Sequence, residues 1–191
     1  MIFNRTQIKK RQKAGSRTAG FTLIETLIAI SLLMMAVVEP MVLTSQALKS
    51  AYYARDQITA SNLAQEGIEA VRAERDKRIL TAALTGTNVD IFGSIPVDQD
   101  FTIDARKDSS TDPSAMTPCA GPCPRLQTDG NIYGYQSGWT NTAFTRTLRA
   151  QYVPGTTDEM RLTVTVTWRT GSYPARTITL NENLFRWVSN N

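Results

Sequence analysis

Residues 21–38 read FTLIETLIAISLLMMAVV, eighteen positions carrying one charge, Glu25. As a helix this run extends roughly 27 Å at about 1.5 Å per residue, close to the thickness of the hydrocarbon layer of a bilayer. The rest of the chain has to be arranged around it. Upstream, Arg5, Lys9, Lys10, Arg11, Lys13 and Arg17 stand in a stretch without an acid. That charge bias predicts a cytoplasmic N-terminus and a translocated remainder. Without these six cations the chain holds 15 basic and 17 acidic residues, a balance of −2. The net positive charge therefore belongs to the first twenty residues. It gives no reason to expect nucleic-acid binding elsewhere, where no dense Lys/Arg stripe occurs.

Three readings compete for the apolar run. A secretory signal peptide has a shorter apolar region, about 7–15 residues, ending at a small-residue site, for which Leu43-Thr44-Ser45-Gln46-Ala47 is available. A plain signal anchor would hold an unrelated domain outside. Neither explains Glu25. An ionised carboxylate in an apolar span costs about 2–4 kcal/mol on insertion scales and needs a partner. No cation lies within a helical turn of it. If the chain is cut between Gly20 and Phe21, the new amine of Phe21 supplies a positive charge at the same depth. That amine and Glu25 meet best between two staggered chains, which makes the pair an assembly device.

Ala19-Gly20-Phe21-Thr22-Leu23-Ile24-Glu25, following a short basic leader, resembles the processing site of type IV prepilins and type II secretion pseudopilins. The likeness covers residues 15–40. It implies a leader, residues 1–20, removed after Gly20 by a prepilin peptidase that also N-methylates Phe21. It implies that Glu25 pairs with a neighbour's Phe21. The implied partners are other pilin or pseudopilin subunits, the peptidase, an inner-membrane assembly platform and membrane lipid; no nucleic acid is required. Before assembly the protein would be a single-pass protein of the cytoplasmic membrane, and afterwards part of an extracellular or periplasmic filament. Glu39 beside Pro40 departs from the pattern by adding a second acid at the outer end of the span.

From about 41 to 80 the chain is rich in Ala, Gln, Glu, Arg and Leu. Ala47, Ala51, Ala54, Ile58, Ser61, Ala64, Ile68 and Val71 recur at spacings of three and four, the signature of an amphipathic helix face. Pro40 is expected to bend the helix, and the cations at Arg72–Arg78 to complement its C-terminal dipole. Residues 62–72 are similar, more weakly, to the helix of V-type minor pilins and I-type pseudopilins.

After Leu80 the composition turns to Thr, Gly, Asp and Pro. Residues 81–97 and 106–130 read as loops, with Phe101–Ala105 a short strand between them. Three half-buried strands follow. Phe144, Arg146, Leu148, Ala150 and Tyr152 alternate with polar residues, then Met160 to Trp168, then Ile178 and Leu180. Pro154-Gly155 and Gly171-Ser172 mark the turns, and such short connections make the strands antiparallel. Their apolar face needs a cover, and the stem helix has the matching stripe. The expected fold is α+β: a long N-terminal transmembrane and stem helix packed on a C-terminal antiparallel sheet, as in pilins. The Thr-rich face is left to solvent or a neighbouring subunit.

Histidine is absent, which removes the commonest general base and zinc ligand. No Ser-His-Asp or Cys-His system can be built from this chain, and no phosphate-binding loop or dinucleotide fingerprint is present. The chain is read as a structural protein, not an enzyme, without a cofactor or metal. Cys119 and Cys123, flanked by Pro118 and Pro124, suit a local disulfide in an oxidising compartment, with free thiols or intermolecular bridges as alternatives. Asp98, Asp100, Asp104 and Asp108 do not match a calcium loop and read as solvated acids. Tyr133, Tyr135 and Trp139 are either core residues or an aromatic surface for a partner.

Overall fold

The computed structural model describes residues 20–108, 112–171 and 173–186. The leader's basic residues, Ser172 of the expected turn, part of the 106–130 segment and residues 187–191 lie outside it. The chain forms two compact units, residues 1–47 and 48–191, which are taken separately.

One helix, α1 (Leu23–Thr85), supplies the described helical part of both units. In the first unit it begins after Thr22, whose hydroxyl accepts a hydrogen bond from the Glu25 amide at 3.3 Å. Thr22 is thus a helix cap, satisfying one of the amides that a first turn leaves without a partner. Every residue from 20 to 47 is exposed. Hydroxyls inside the apolar run are turned back on the helix: Ser31 donates to the Leu27 carbonyl and Thr44 to the Pro40 carbonyl, both at 2.8 Å. The helix runs through Pro40 without a break.

In the second unit, α1 lies on a seven-stranded sheet. The strands are β1 (Asp100–Ile103), β2 (Met116–Pro118), β3 (Arg125–Thr128), β4 (Tyr133–Gly134), β5 (Thr140–Tyr152), β6 (Glu159–Trp168) and β7 (Arg176–Phe185). Along one flank of β5 runs β6, and β7 follows as an edge strand. The other flank of β5 is shared by β1 near Leu148 and β3 near Asn141, with β2 and β4 outside them. All these pairings are antiparallel. The three C-terminal strands therefore occur in the expected order, each longer than its hydrophobic alternation alone marks out.

The helix face on the sheet is Ala60, Leu63, Ala64, Gly67, Ile68, Val71 and Glu74. These fall at i, i+3, i+4, i+7, i+8, i+11 and i+14, one side of a 3.6-residue helix. Of these, Ala60, Leu63, Ala64, Ile68 and Val71 meet the inward residues Leu126, Phe144, Leu148, Leu162, Val164, Val166 and Leu184 in one apolar core. Gly67 marks the closest approach: a β-carbon there would stand 3.2 Å from both Arg146 Cδ and Val164 Cγ1.

Several expectations are corrected. The stripe through Ala47, Ala51, Ala54 and Ile58 is exposed, with Ile58 at 63%, and only Ala64, Ile68 and Val71 of that stripe are buried. Spacing identifies a helix but not which of two overlapping apolar arcs the sheet covers. The helix continues five residues past Leu80 and ends at Gly86, whose φ of +63° and amide bonded to Ala82 form the C-terminal cap. Its last turn carries no cation. Arg72 instead pairs with Glu182 of β7 and Lys77 with Asp108, so these cations tie helix to head and do not serve the dipole. The 106–130 segment holds β2, β3 and a 3-10 turn, Pro113–Ala115, capped by Asp112. These strands are too short, and too rich in proline around them, to show alternation. Tyr152, placed inward by alternation, is exposed at the strand end and meets Phe92 edge-on. Loop residues Ile91, Phe92 and Ile95 join the core, which no periodic signal announced.

Candidate assembly surface

The expected processing residues lie together at the start of α1. Gly20 is exposed, with no neighbouring atom within 4 Å of where a β-carbon would stand. Phe21 is 79% exposed. Glu25 sits in the first helical turn, where the positive end of the helix dipole favours a carboxylate. Thr22-Leu23-Ile24-Glu25 also has the spacing of a capping box. The capping role of Thr22 is legible in the sequence, since a threonine three residues before a glutamate opens many helices. Among the described residues no side chain pairs with the Glu25 carboxylate. From Phe21 to Leu43 the unit presents an uncovered apolar cylinder, and α1 is long and apolar enough to cross a membrane.

Cys119 and Cys123 are joined in a disulfide, Cα atoms 5.1 Å apart, closing the turn between β2 and β3. The four aspartates do not converge. Asp98 accepts from Gln151, Asp100 pairs with Arg149, and Asp108 with Lys77. Asp104 corrects the expectation of a solvated acid, for it is buried at 1% exposure. Burial pushes its carboxyl up. Hydrogen bonds from the Arg106 guanidinium and from the Tyr135 and Arg106 amides outweigh that and hold it below the usual carboxylate range. Among the described residues no group of His, Cys, Asp and Glu could hold a metal ion.

The aromatic trio divides. Tyr133 and Tyr135 pack against the core, whereas Trp139 lies beneath Arg106, with the guanidinium 4.3 Å from the ring centre. Burial pushes the Tyr135 phenol up to about 12, although the nearby Arg146 charge acts the other way.

By alternation Arg146 is one more inward position of β5. It is fully buried, and its guanidinium donates to the Leu63 carbonyl at 3.0 Å, the Ile103 carbonyl at 2.7 Å and the Glu66 carboxylate at 3.2 Å. One side chain of β5 thus clamps α1 to β1. Its signal was available, since a cation in phase with Phe144 and Leu148 requires buried acceptors.

The model of the prokaryotic N-terminal methylation motif matches residues 15–38. No curated protein and no solved structure matches the chain. A methylation-motif N-terminus, an apolar helix and a C-terminal antiparallel sheet together define an α+β, pilin-like architecture. In its motif, apolar helix and sheet the chain is similar to type IV pilin-like proteins, and the helix and motif fit a single-pass membrane protein.

Proposed function

We propose that this chain is a structural, non-catalytic subunit of a type IV pilus or a type II secretion pseudopilus. A prepilin peptidase removes residues 1–20 and methylates the Phe21 amine. Residues 21–40 hold the mature protein in the cytoplasmic membrane, with lipid around them, and the head follows the stem beyond. An inner-membrane assembly platform then moves it into a periplasmic or extracellular filament. There Glu25 accepts the Phe21 amine of a neighbouring subunit. The likeness of residues 62–72 to V-type minor pilins and I-type pseudopilins favours a minor subunit.

One observation carries this reading: an acid with no side-chain partner among the described residues stands four residues past Phe21 on an uncovered apolar helix, inside a match to the methylation motif. The carboxylate is costly in lipid unless a counter-charge arrives, and the peptidase cut creates one. Mass spectrometry of the mature protein is expected to find Phe21, methylated, as the first residue. An intact Met1 would mean a signal anchor, and a start near residue 48 a secretory signal. Glu25→Ala is expected to leave cleavage intact and to abolish or sharply reduce incorporation into filaments; normal incorporation would refute the pairing.

A further inference from the structure

The two ends of the head carry opposite charge. At one end, helix residues 49–56, the start of β5 and the turn after β6 enclose a groove of about 740 Å³. Lys49, Arg55 and Arg169 line it, together with Tyr52 and Tyr173, each about half exposed. The groove's acid, Asp56, is already engaged by Arg55 at 3.2 Å and by the Thr170 hydroxyl at 2.8 Å. Lys49 and Arg169 have no ion-pair partner among the described residues. At the opposite end of β6 lies the β5–β6 turn, residues 153–158, where Pro154, Gly155, Thr157 and Asp158 are exposed. Asp158 and Asp90 share one cation, Arg186, at 3.7 and 3.5 Å, and remain 75% and 62% exposed. Ten strand residues separate the two ends, roughly 33 Å at about 3.3 Å per residue.

We propose that the basic groove of one head receives the acidic β5–β6 turn of a second copy of this chain. The surfaces are different patches at opposite ends of one strand, so the contact is heterologous. Such a contact leaves a free groove at one end and a free turn at the other, and it propagates into a line instead of closing. Tyr52 and Tyr173 provide flat apolar walls for the turn's Pro154 and threonine methyls, while Lys49 and Arg169 face Asp158. A groove of this volume falls within the range of sites that enclose a small ligand, about 300–1,000 Å³, which suits a turn tip better than a whole protein face. The inference rests on the filament reading and supplies a head-to-head-group contact that the Glu25 pair cannot. A subunit inserted even twice in succession makes it.

The test uses the full chain in its membrane and filaments. Ala143→Cys in the groove and Thr157→Cys in the turn leave every charge in place, and the native cysteines are bonded to each other. Oxidation of the double variant is expected to give a ladder of covalent multimers, with each single variant remaining monomeric. Arg169→Glu in that background should lower the yield about tenfold, and adding Asp158→Arg should restore it. Absence of a ladder, while Glu25→Ala still abolishes incorporation, would overturn this contact and leave the filament reading standing. Dimers from a single-cysteine variant would mean a symmetric contact and would also overturn it. Normal incorporation of Glu25→Ala would instead remove the filament reading beneath it.

Discussion

Arg146 is the most consequential side chain in the head, and truncating it should be costly in a calculable way. Arg146→Ala removes two buried methylenes, about 1.6 kcal/mol at ~0.8 kcal/mol each. It strips a donor from the Ile103 carbonyl, which costs about 1–3 kcal/mol for a buried group left unsatisfied. The Leu63 carbonyl keeps its place in the helix ladder, and Glu66, 39% exposed, can turn to water, so these two add little. Relief of the guanidinium's own burial offsets part of the loss, while the cavity left behind adds to it. The net is about 3–4 kcal/mol. Arg146→Met keeps the volume and forfeits only the polar contacts, for about 1–2 kcal/mol. At about 2–4 °C per kcal/mol for a domain of this size, the alanine variant should melt roughly 6–16 °C lower and the methionine variant roughly 2–8 °C lower, always the smaller of the two shifts. Near-UV circular dichroism of the detergent-solubilised chain follows the melting. Equal midpoints for the two variants, or an alanine midpoint within about 3 °C of the parent, would refute the clamp.

Gly67→Ala gains about 1 kcal/mol of helix propensity but places a methyl 3.2 Å from Arg146 and Val164, and Arg146 is held by three bonds and cannot retreat. A net loss of about 1 kcal/mol is expected in denaturant titration, and stabilisation would show that the helix can lift off the sheet. Asp104 ionises more readily folded than unfolded, so its contribution is full above the unfolded value near 4 and is lost as pH falls through the lower folded value. Asp104→Asn should therefore be less stable at neutral pH and flatten the acid limb of a stability-versus-pH curve; an unchanged acid limb would contradict the assignment. Reducing Cys119–Cys123 opens a loop of five residues, worth about 2 kcal/mol by chain entropy, so reductant should lower the midpoint by ~4–8 °C without unfolding the head. A collapse of the whole transition would show that this loop staples more than its own turn.

The sequence alone determined the apolar span, Glu25 within it, the processing-type motif at Gly20 and Phe21, and three C-terminal strands. All of these are short-range: a run of apolar residues, a charge out of place, an alternation of period two. Tertiary structure alone decided which arc of the helix is covered, because Ala54 and Ile58 look as buriable as Ala60 and Leu63 until a sheet of finite width is laid against them. It alone buried Asp104 and chose the partners of both buried charges, which come from segments far away in the chain, Leu63 and Ile103 for Arg146 and Tyr135 for Asp104. It alone gathered Lys49, Arg55 and Arg169 at one end of the head and left Asp90 and Asp158 at the other. Charges spread evenly along a chain acquire polarity only when antiparallel strands fold their turns to opposite ends.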